Sequence, residues 1–235
     1  MKSFKSKLKK DWDSTVEGVG VITVSNPKSV ISESFNTIRT NVQFASTDKK
    51  IKSMMITSSN ASEGKSTIAA NLASSFARQG RKTILFDADL RRPTIAATFE
   101  SGHAFGLTNY LSRADMDVSE IIYATTMKNF YVVPSGPIPP NPSELLGSKK
   151  MGKLIQILKS QADVIIYDAP PVIPVTDAQI LSTQVDGTIL VARSGKTEKK
   201  SILEATNLLK RVDANILGVV LNDTKEKKSE YYGYN

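Results

Sequence analysis

The spacing of apolar side chains divides the chain into segments of two kinds. Apolar residues recur at helical spacing at Ile31, Phe35, Ile38 and Val42. This spacing predicts an amphipathic helix over residues 28–46. Further along, short β-rich runs (SMMIT, TILF, FYVV, VIIY, TILVA and ILGVVL) alternate with helix-length segments at 66–79, 143–160 and 197–212. Such alternation is typical of parallel βαβ units, so an α/β fold is predicted.

A proline-rich stretch interrupts the alternation. Residues 134–142, PSGPIPPNP, hold five of the ten prolines. Proline fixes φ and lacks a backbone N–H, so a rigid loop is predicted there. The length of 235 residues favours one domain over two. The predicted organisation is a basic N-terminal segment over 1–27, a folded domain over 28–222 and a flexible, tyrosine-rich tail over 223–235.

Composition narrows the possible chemistry. The chain has no cysteine and a single histidine, His103, which excludes disulfides, thiol chemistry and a multi-histidine metal site. Carboxylates, lysine and hydroxyls must therefore carry any reaction. The sequence has neither an apolar run of about 18 residues nor a signal-peptide stretch, so a cytoplasmic protein is expected.

The net charge of +8 is partly concentrated in two basic stretches, MKSFKSKLKK and KEKK. Basic segments favour acidic partners such as anionic lipid or nucleic acid, and the charge alone specifies neither. Phe4, Leu8 and Trp12 recur at four-residue spacing among the first lysines, as in a helix that lies at a membrane surface. A merely solubilising basic terminus explains the same residues.

The strongest chemical signal follows the first predicted strand. Residues 59–66, SNASEGKS, match a phosphate-binding loop, S-x-x-x-x-G-K-S, with serine in the first glycine position. In such a loop the backbone N–H groups wrap the phosphates and Gly64 permits their close approach. Lys65 would reach the outer phosphates, and the Ser66 hydroxyl would bind Mg²⁺ at the start of a helix. A G-K-S triplet also occurs by chance at helix starts, but here strand and helix flank it as the mechanism requires.

Carboxylates follow two of the predicted strands. In ILFDADLRRP, Asp87 and Asp89 lie on one face of an extended segment, together with Arg91. In VIIYDAPP, Asp168 ends another strand and could hold the water shell of Mg²⁺. Taken alone, Asp168 could equally be a turn residue before two prolines. The carboxyl ends of strands are where α/β folds bind ligands, which favours a functional role.

These blocks together resemble the bacterial tyrosine kinases of capsule and exopolysaccharide assembly. The resemblance rests on SSNASEGKSTIAANLA, ILFDADLRRP, SGPIPPNPSELL, VIIYDAPPV followed by VTDAQ, and a terminal tyrosine cluster. It covers about residues 25–235 and is closest to the free-standing catalytic domain of Gram-positive bacteria. It implies a P-loop NTPase-like, doubly wound, mostly parallel sheet with helices on both faces, and an ATP-dependent protein-tyrosine kinase.

The resemblance also implies roles for single residues. Asp87 would be the general base toward a tyrosine hydroxyl, Asp89 would order the metal, and Asp168 would hold it through water. Lys65 would act in catalysis, and Ser66 would bind Mg²⁺. The nucleotide-binding residues implied are Ser59, Asn60, Ala61, Ser62, Glu63, Gly64, Lys65, Ser66, Thr67 and Asn222, with Asn222 at an adenine-contacting position.

The tyrosine-rich tail is the expected substrate. The resemblance implies autophosphorylation between subunits at Tyr231, Tyr232 and Tyr234. It also implies a transmembrane activator of the polysaccharide co-polymerase type and a cognate phosphotyrosine phosphatase, with no nucleic-acid partner. The chain would then be cytoplasmic and peripheral at the inner face of the membrane through its partner, regulating capsular or exopolysaccharide synthesis and export.

Two departures from the family pattern bear on oligomerisation and on nucleotide binding. ESFNTIR matches the E-x-x-R-x-x-R helix that packs subunits into a ring at Glu33 and Arg39, while Asn36 replaces the middle arginine. Ala61 and Ser62 stand where the family commonly has P-G, so a loop position that favours glycine carries a side chain.

Two other functions fit part of the pattern. A switch ATPase of the kind that places septa or partitions chromosomes shares the fold and the aspartates. Such proteins carry a lysine near the start of the loop that reaches the nucleotide of a second subunit, and Asn60 stands at that position here. A weakly catalytic adaptor of a polysaccharide-assembly complex is the third possibility.

Overall fold

The structure, a computed structural model, describes residues 13–45, 50–100 and 105–224. Two groups of residues singled out above lie outside this range: Phe4, Leu8 and Trp12 near the start, and Tyr231, Tyr232 and Tyr234 near the end. Among the described helices, none is long and apolar enough to cross a bilayer.

One sheet organises the described part of the chain. Its strands are β1 Ser53–Ser58, β2 Thr83–Asp87, β3 Tyr123–Ala124, β4 Phe130–Val133, β5 Val164–Asp168, β6 Gly187–Arg193 and β7 Ile216–Asn222. They lie in the order β3-β4-β2-β5-β1-β6-β7, and every pair is parallel except β3 with β4. The predicted mostly parallel α/β sheet is confirmed, and the six predicted strands correspond to all strands except β3.

The helices lie between and around these strands. They are α1 Ser14–Glu17, α2 Ile22–Ser25, α3 Val30–Phe44, α4 Lys65–Arg78, α5 Ile95–Thr98, α6 Leu107–Ser112, α7 Pro142–Leu146, α8 Lys149–Gln161, α9 Asp177–Ser182 and α10 Lys199–Lys210, with a 3₁₀ turn at Val118–Ile121. The helix predicted over 143–160 is in fact two helices. Gly147 ends α7, and the Ser148 hydroxyl caps α8 by accepting a hydrogen bond from the Met151 N–H at 3.1 Å.

Both faces of the sheet are covered by apolar layers, which explains why the central strands are continuously apolar rather than alternating. In β1, Met54 and Ile56 pack in one layer with Phe35 of α3 and Leu72 of α4, whereas Met55 packs in the other layer. That second layer contains α8 and α9 and is contributed chiefly by residues such as Leu154, Leu158, Tyr167, Leu181 and Leu209. The sheet is therefore sandwiched between two helical layers, as the doubly wound prediction requires.

The segment before α3 packs onto the same body. Thr23 is buried, and the side-chain oxygen of Asn71 in α4 accepts hydrogen bonds from its N–H and hydroxyl, both at 3.0 Å. The Val19 N–H donates to the Thr98 hydroxyl at 3.0 Å. Residues 13–25 thus lie along α4 and α5, next to the carboxyl ends of the strands. The predicted domain boundary at residue 28 stays a prediction.

Candidate active site

The loop between β1 and α4 has the backbone geometry of a phosphate cradle. Gly64 has φ +96°, and a Cβ at this residue would collide with Nδ2 of Asn222. That amide donates to the Glu63 carbonyl at 3.1 Å, which ties the end of β7 to the loop. Ser62 has φ +63°, so the position where the family commonly has glycine does need the left-handed conformation. Helix α4 begins directly afterwards at Lys65, and its first N–H groups have no partner within the helix.

Lys65 lies between two carboxylates that come from neighbouring strands. Its Nζ is 2.7 Å from Oδ2 of Asp89 and 3.6 Å from Oδ1 of Asp168, and its side chain is 11% exposed. Burial alone would lower the pKa of Lys65, but attraction to Asp168 and Asp89 outweighs it, so the pKa is raised. The lysine is therefore a cation held at the head of α4, where incoming phosphate oxygens would meet it.

Asp87 lies deeper than Asp89. Its Oδ2 accepts hydrogen bonds from the backbone N–H groups of Thr94 and Ile95, both at 2.8 Å, and the residue is fully buried. Burial raises the pKa of Asp87 to about 8, with repulsion from Asp168 adding to the shift and the two N–H groups opposing it. The sheet places Asp87 directly beside Asp168, because the two are register partners in β2 and β5.

Two carboxylate oxygens of the site are available to a ligand. Oδ1 of Asp87 and Oδ1 of Asp168 are buried and have no hydrogen-bond partner among the described residues. Burial raises the pKa of Asp168, although attraction to Lys65 opposes this. In the described residues no three acidic or histidine side chains form a ready-made metal cage. The Ser66 hydroxyl lies 3.3 Å from Nζ of Lys65, at the same end of the site. Mg²⁺ generally keeps several waters and takes substrate phosphates as ligands, so it needs few protein ligands.

A cavity of about 710 Å³ opens over these residues. The predicted site residues that line it are Ala61, Ser62, Gly64, Lys65, Ser66, Thr67, Asp89 and Asn222. Ser59, Asn60, Glu63, Asp87 and Asp168 do not line it. Glu63 is buried and accepts hydrogen bonds from the Thr197 hydroxyl and the Asn60 N–H, at 2.8 and 3.1 Å, so it holds the shape of the loop.

Several residues that line the cavity carry no role in the sequence analysis. They are Asp13, Arg92, Thr94, Arg193 and Asp223. Arg193 donates to Asp223 at 2.9 Å. Arg92 belongs to the ILFDADLRRP block, in which the sequence analysis assigned it no role, and the other four residues belong to no motif. Their proximity depends on the tertiary fold, so the sequence alone did not place them at the cavity.

An ion pair fixes the arginine that follows the aspartates. The Arg91 guanidinium donates to both carboxylate oxygens of Asp177, at 2.9 and 3.0 Å, and Asp177 is fully buried. The Ser143 hydroxyl donates to the same carboxylate at 2.5 Å. Asp177 belongs to the VTDAQ block, but only the folded chain shows that this block holds Arg91 at the cavity.

The two residues assigned to subunit contact lie on α3, which packs against α4. The Arg39 guanidinium donates to the Ser75 carbonyl at 3.1 Å and to the Asn36 side chain at 2.8 Å, and Asn36 in turn donates to Glu33 at 2.8 Å. Asn36 therefore links Glu33 and Arg39 within the chain. Their role between subunits stays a prediction.

The loop, the start of α4 and the strand-end aspartates together define a P-loop nucleotide-binding protein. The model of the ParA family, described as a NUBPL iron-transfer P-loop NTPase, matches residues 49–229. The chain is 46% identical to tyrosine-protein kinase YwqD of Bacillus subtilis (strain 168) over 214 residues, which cover 91% of this chain and 90% of that protein.

Solved structures give the same result. The kinase domain of the Escherichia coli tyrosine kinase ETK matches with a TM-score of 0.85 at 29% identity, covering 98% of this chain and 89% of that one. The chimerical protein CapA2B2 matches with a TM-score of 0.84 at 38% identity, covering 90% and 95% of the two chains. The chain therefore belongs to the bacterial tyrosine-protein kinases, a group of P-loop NTPases.

Proposed function

We propose that this chain is an ATP-dependent protein-tyrosine kinase whose main substrate is the tyrosine cluster of its own tail. The observation that carries the proposal is the contact of Lys65 with Asp89 and Asp168 at the head of α4, over a cavity large enough for a nucleotide. The contact places the Lys65 ammonium and the two carboxylates at one site. Catalysis of phosphoryl transfer consists mostly of such positioning and of charge stabilisation.

Each residue then has a separate task. The N–H groups of the loop and Lys65 bind the phosphates, and Asn222 contacts the adenine. Ser66 and Asp89 would hold Mg²⁺, and Asp168 would hold it through water. When bound, Mg²⁺ neutralises charge that develops on the phosphate oxygens.

We assign proton removal from the tyrosine hydroxyl to Asp87. A tyrosine hydroxyl has a pKa near 10, so at neutral pH it needs a base within hydrogen-bond reach. Burial raises the pKa of Asp87 to about 8, so Asp87 would accept the proton in its ionised form, which a cation bound nearby would favour. Its Oδ1 has no hydrogen-bond partner among the described residues. Asp89 lines the cavity and Asp87 lies beneath it, but Oδ2 of Asp89 is engaged by Lys65. Loss of transfer with retained ATP binding in Asp87→Asn would support this assignment.

The tail would be phosphorylated by a neighbouring subunit at Tyr231, Tyr232 and Tyr234. Each phosphate adds a charge of roughly −1.5 to −2, so several phosphates would turn the tail acidic and repel it from a site that already holds ATP and aspartates. Phosphorylation would then release the tail and loosen a ring built through Glu33 and Arg39. This cycle is the proposed means of regulating capsular or exopolysaccharide synthesis and export.

The proposal includes partners that the chain itself does not contain. These are a transmembrane activator, which would hold the cytoplasmic chain at the inner face of the membrane, and a phosphotyrosine phosphatase that reverses the reaction. The match to a chimera titled CapA2B2 is consistent with a kinase that acts with a second protein. A nucleic-acid partner is not proposed.

A switch ATPase is supported less well. The cell-division ATPase MinD of Pyrococcus furiosus matches with a TM-score of 0.62 at 26% identity, covering 72% of this chain. Asn60 stands where such proteins carry the lysine that reaches across a dimer, and its N–H serves the loop by donating to Glu63.

The deciding experiment is mass spectrometry of full-length chains incubated with ATP and Mg²⁺, with and without the cytoplasmic tail of the activator. A ¹⁵N-labelled Lys65→Met chain serves as acceptor for the unlabelled wild type. We expect phosphate on the three tail tyrosines of the acceptor. An unlabelled acceptor beside a phosphorylated wild-type chain would refute transfer between subunits. Absence of phosphotyrosine in both chains with the activator present would refute the kinase function and favour the adaptor.

A further inference from the structure

The cavity is lined by three arginines, and two of them are tightly paired. Arg91 is bound by Asp177 through two hydrogen bonds, and Arg193 donates to Asp223 at 2.9 Å. Arg92 differs from both. Its contact with a carboxylate is 3.9 Å long, and its side chain is 68% exposed. Among the described arginines of this cavity, Arg92 therefore has the weakest hold on an acidic partner.

Asp13, the acidic partner of Arg92, has hydrogen bonds that do not depend on Arg92. Arg92 approaches Oδ1 of Asp13, and the same oxygen already accepts hydrogen bonds from the N–H and hydroxyl of Thr15, at 3.0 and 2.7 Å. The bonds from Thr15 are the main reason that the pKa of Asp13 is lowered, and Arg92 contributes least. An incoming carboxylate could replace Asp13 beside Arg92 at little cost, because Asp13 would keep its bonds to Thr15.

The backbone fixes Arg92 next to the reacting groups. The N–H groups of Arg91 and Arg92 both donate to Oδ1 of Asp89, at 3.3 and 3.0 Å. The other oxygen of Asp89 contacts Lys65 at 2.7 Å. The guanidinium of Arg92 is thus one side-chain length away from a carboxylate of the transfer site. It can contact a residue adjacent to an acceptor tyrosine, but it is not itself needed for the chemistry.

The tail carries an acidic residue whose charge is opposite to that of Arg92. Residues 225–229 are KEKKS, with three lysines, so most of the approach to the tyrosines is basic. Glu230 directly precedes Tyr231. The local field of the exposed Arg92 guanidinium repels a lysine and attracts a glutamate that lies next to the tyrosine. The charge pattern therefore favours entry of the segment from Glu230 onward.

We infer that Arg92 recognises an acidic side chain immediately before the acceptor tyrosine, and that in the tail this residue is Glu230. The substrate class of the kinase is then a peptide with the pattern acidic residue–tyrosine, and Asp13 holds the place of the acidic residue when no acceptor is bound. This inference rests on the proposed kinase function and deepens it. Arg92 is a specificity residue and not a catalytic one.

The test pairs two donors with two acceptors. Full-length donors are wild type and Arg92→Gln, with Arg211→Gln as a control that removes the same charge from the exposed end of α10. Acceptors are ¹⁵N-labelled Lys65→Met chains carrying either Glu230 or Glu230→Gln. We expect Arg92→Gln to raise the KM for the acceptor about two- to fivefold with kcat unchanged, as for an exposed ion pair that binds ground state and transition state equally.

The expected signature is non-additivity. Glu230→Gln should raise the KM by the same factor with the wild-type donor and have no further effect with Arg92→Gln, while Arg211→Gln behaves as wild type. An Arg92→Glu donor should prefer a Glu230→Lys acceptor. Additive effects, or equal effects of Arg92→Gln and Arg211→Gln, would overturn the inference while leaving the kinase function standing.

A binding measurement tests recognition by Arg92 separately from the proposed kinase function. A fluorescein-labelled peptide KSEYYGYN and its Glu→Gln version are titrated with the full-length wild-type chain and with Arg92→Gln, without ATP. We expect the wild type to prefer the glutamate peptide about two- to fivefold and to lose this preference in 0.5 M salt or on Arg92→Gln. Equal affinity for both peptides would refute recognition by Arg92. Preference for the glutamate peptide, combined with the absence of phosphotyrosine when the same chains are incubated with ATP, Mg²⁺ and the activator, would instead refute the kinase function alone.

Discussion

At the scale of single residues, Asp87 is a residue assigned to function whose burial lowers the stability of the fold as the pH rises. Its carboxyl is fully buried, and burial raises its pKa to about 8, against 3.8 for a free side chain. In the folded chain Asp87 keeps its proton at pH values where the unfolded chain has lost it. The contribution of Asp87 to stability is therefore fully present below about pH 4 and is lost as the pH rises toward 8.

This linkage predicts that Asp87→Asn stabilises the protein while abolishing transfer. The amide oxygen can still accept the N–H groups of Thr94 and Ile95. One pKa unit is worth about 1.4 kcal/mol, so we expect the free energy of unfolding at pH 8, without nucleotide and Mg²⁺, to rise by at least about that amount. Denaturant titrations at pH 5 and pH 8 would measure it, with the exposed Asp115→Asn as control. A lower stability of Asp87→Asn at pH 8 would contradict the assignment of a raised pKa.

At the scale of elements, the phosphate loop is held by contacts with distant parts of the chain, and the contact with Asn222 bears on the nucleotide most directly. Gly64 follows β1 and Asn222 ends β7, yet the space where a Cβ of residue 64 would stand is filled by the Asn222 amide. The loop motif indicated the need for glycine, but it did not indicate this second reason. A side chain at 64 would press on the residue that we assign to the adenine.

We therefore expect Gly64→Ala to weaken ATP binding at least about tenfold, beyond what backbone strain alone explains. Gly80→Ala is the matched control, because Gly80 also has positive φ, at +82°, but no atom lies within 4 Å of its missing Cβ. Both changes should cost about 1–2 kcal/mol of stability through the left-handed backbone. Titration with a fluorescent ATP analogue should separate them. Equal ATP affinity of the two variants would show that the contact with Asn222 does not matter for binding.

The elements also show which structure can be predicted from sequence. The six long apolar strands and the phosphate loop were predicted, because burial on both faces and a fixed loop spacing leave local signals. Strand β3 has two residues, too few for any period to appear. The Arg91–Asp177 pair joins residues 86 positions apart, and no spacing rule reaches that far. The environment of the Asp87 carboxylate is likewise invisible in the sequence. The N–H groups of Thr94 and Ile95 bind it only because the chain turns back toward Asp87 after β2.

At the scale of the whole molecule, α3 connects the proposed subunit contact to the helix that begins at the nucleotide site. Arg39 on α3 binds the Ser75 carbonyl of α4, and α4 begins at Lys65. Asn36 joins Arg39 to Glu33 on the outer side. A neighbour that contacts Glu33 would thus act on a connected set of polar groups that ends on the helix carrying the phosphate-binding lysine.

If Glu33 and Arg39 form the ring contact, replacing both by alanine should convert a concentration-dependent oligomer into a monomer on light scattering. Glu33→Ala alone should weaken the oligomer with little effect on thermal unfolding, since Glu33 is exposed. Arg39→Ala should also lower stability, because it removes the bonds to Ser75. Asn36→Arg restores the family pattern and should strengthen assembly. A wild-type chain that stays monomeric at high concentration would refute the ring for this sequence.

The attachment of β7 to the phosphate loop has a kinetic consequence. The Asn222 amide binds the Glu63 carbonyl, and only the eight residues from Asp223 to Glu230 separate this anchor from Tyr231, the first tail tyrosine. The nine residue steps from Asn222 to Tyr231 can span at most about 30 Å, so each chain keeps its own tyrosines within reach of its own cavity, at an effective concentration on the order of millimolar. The cavity of a neighbouring subunit must compete with this tethered cavity. It can do so only if assembly places it closer to the tail tyrosines. Transfer between subunits should therefore switch on with assembly: the initial rate per chain should rise with protein concentration up to the oligomer's dissociation constant and stay flat above it.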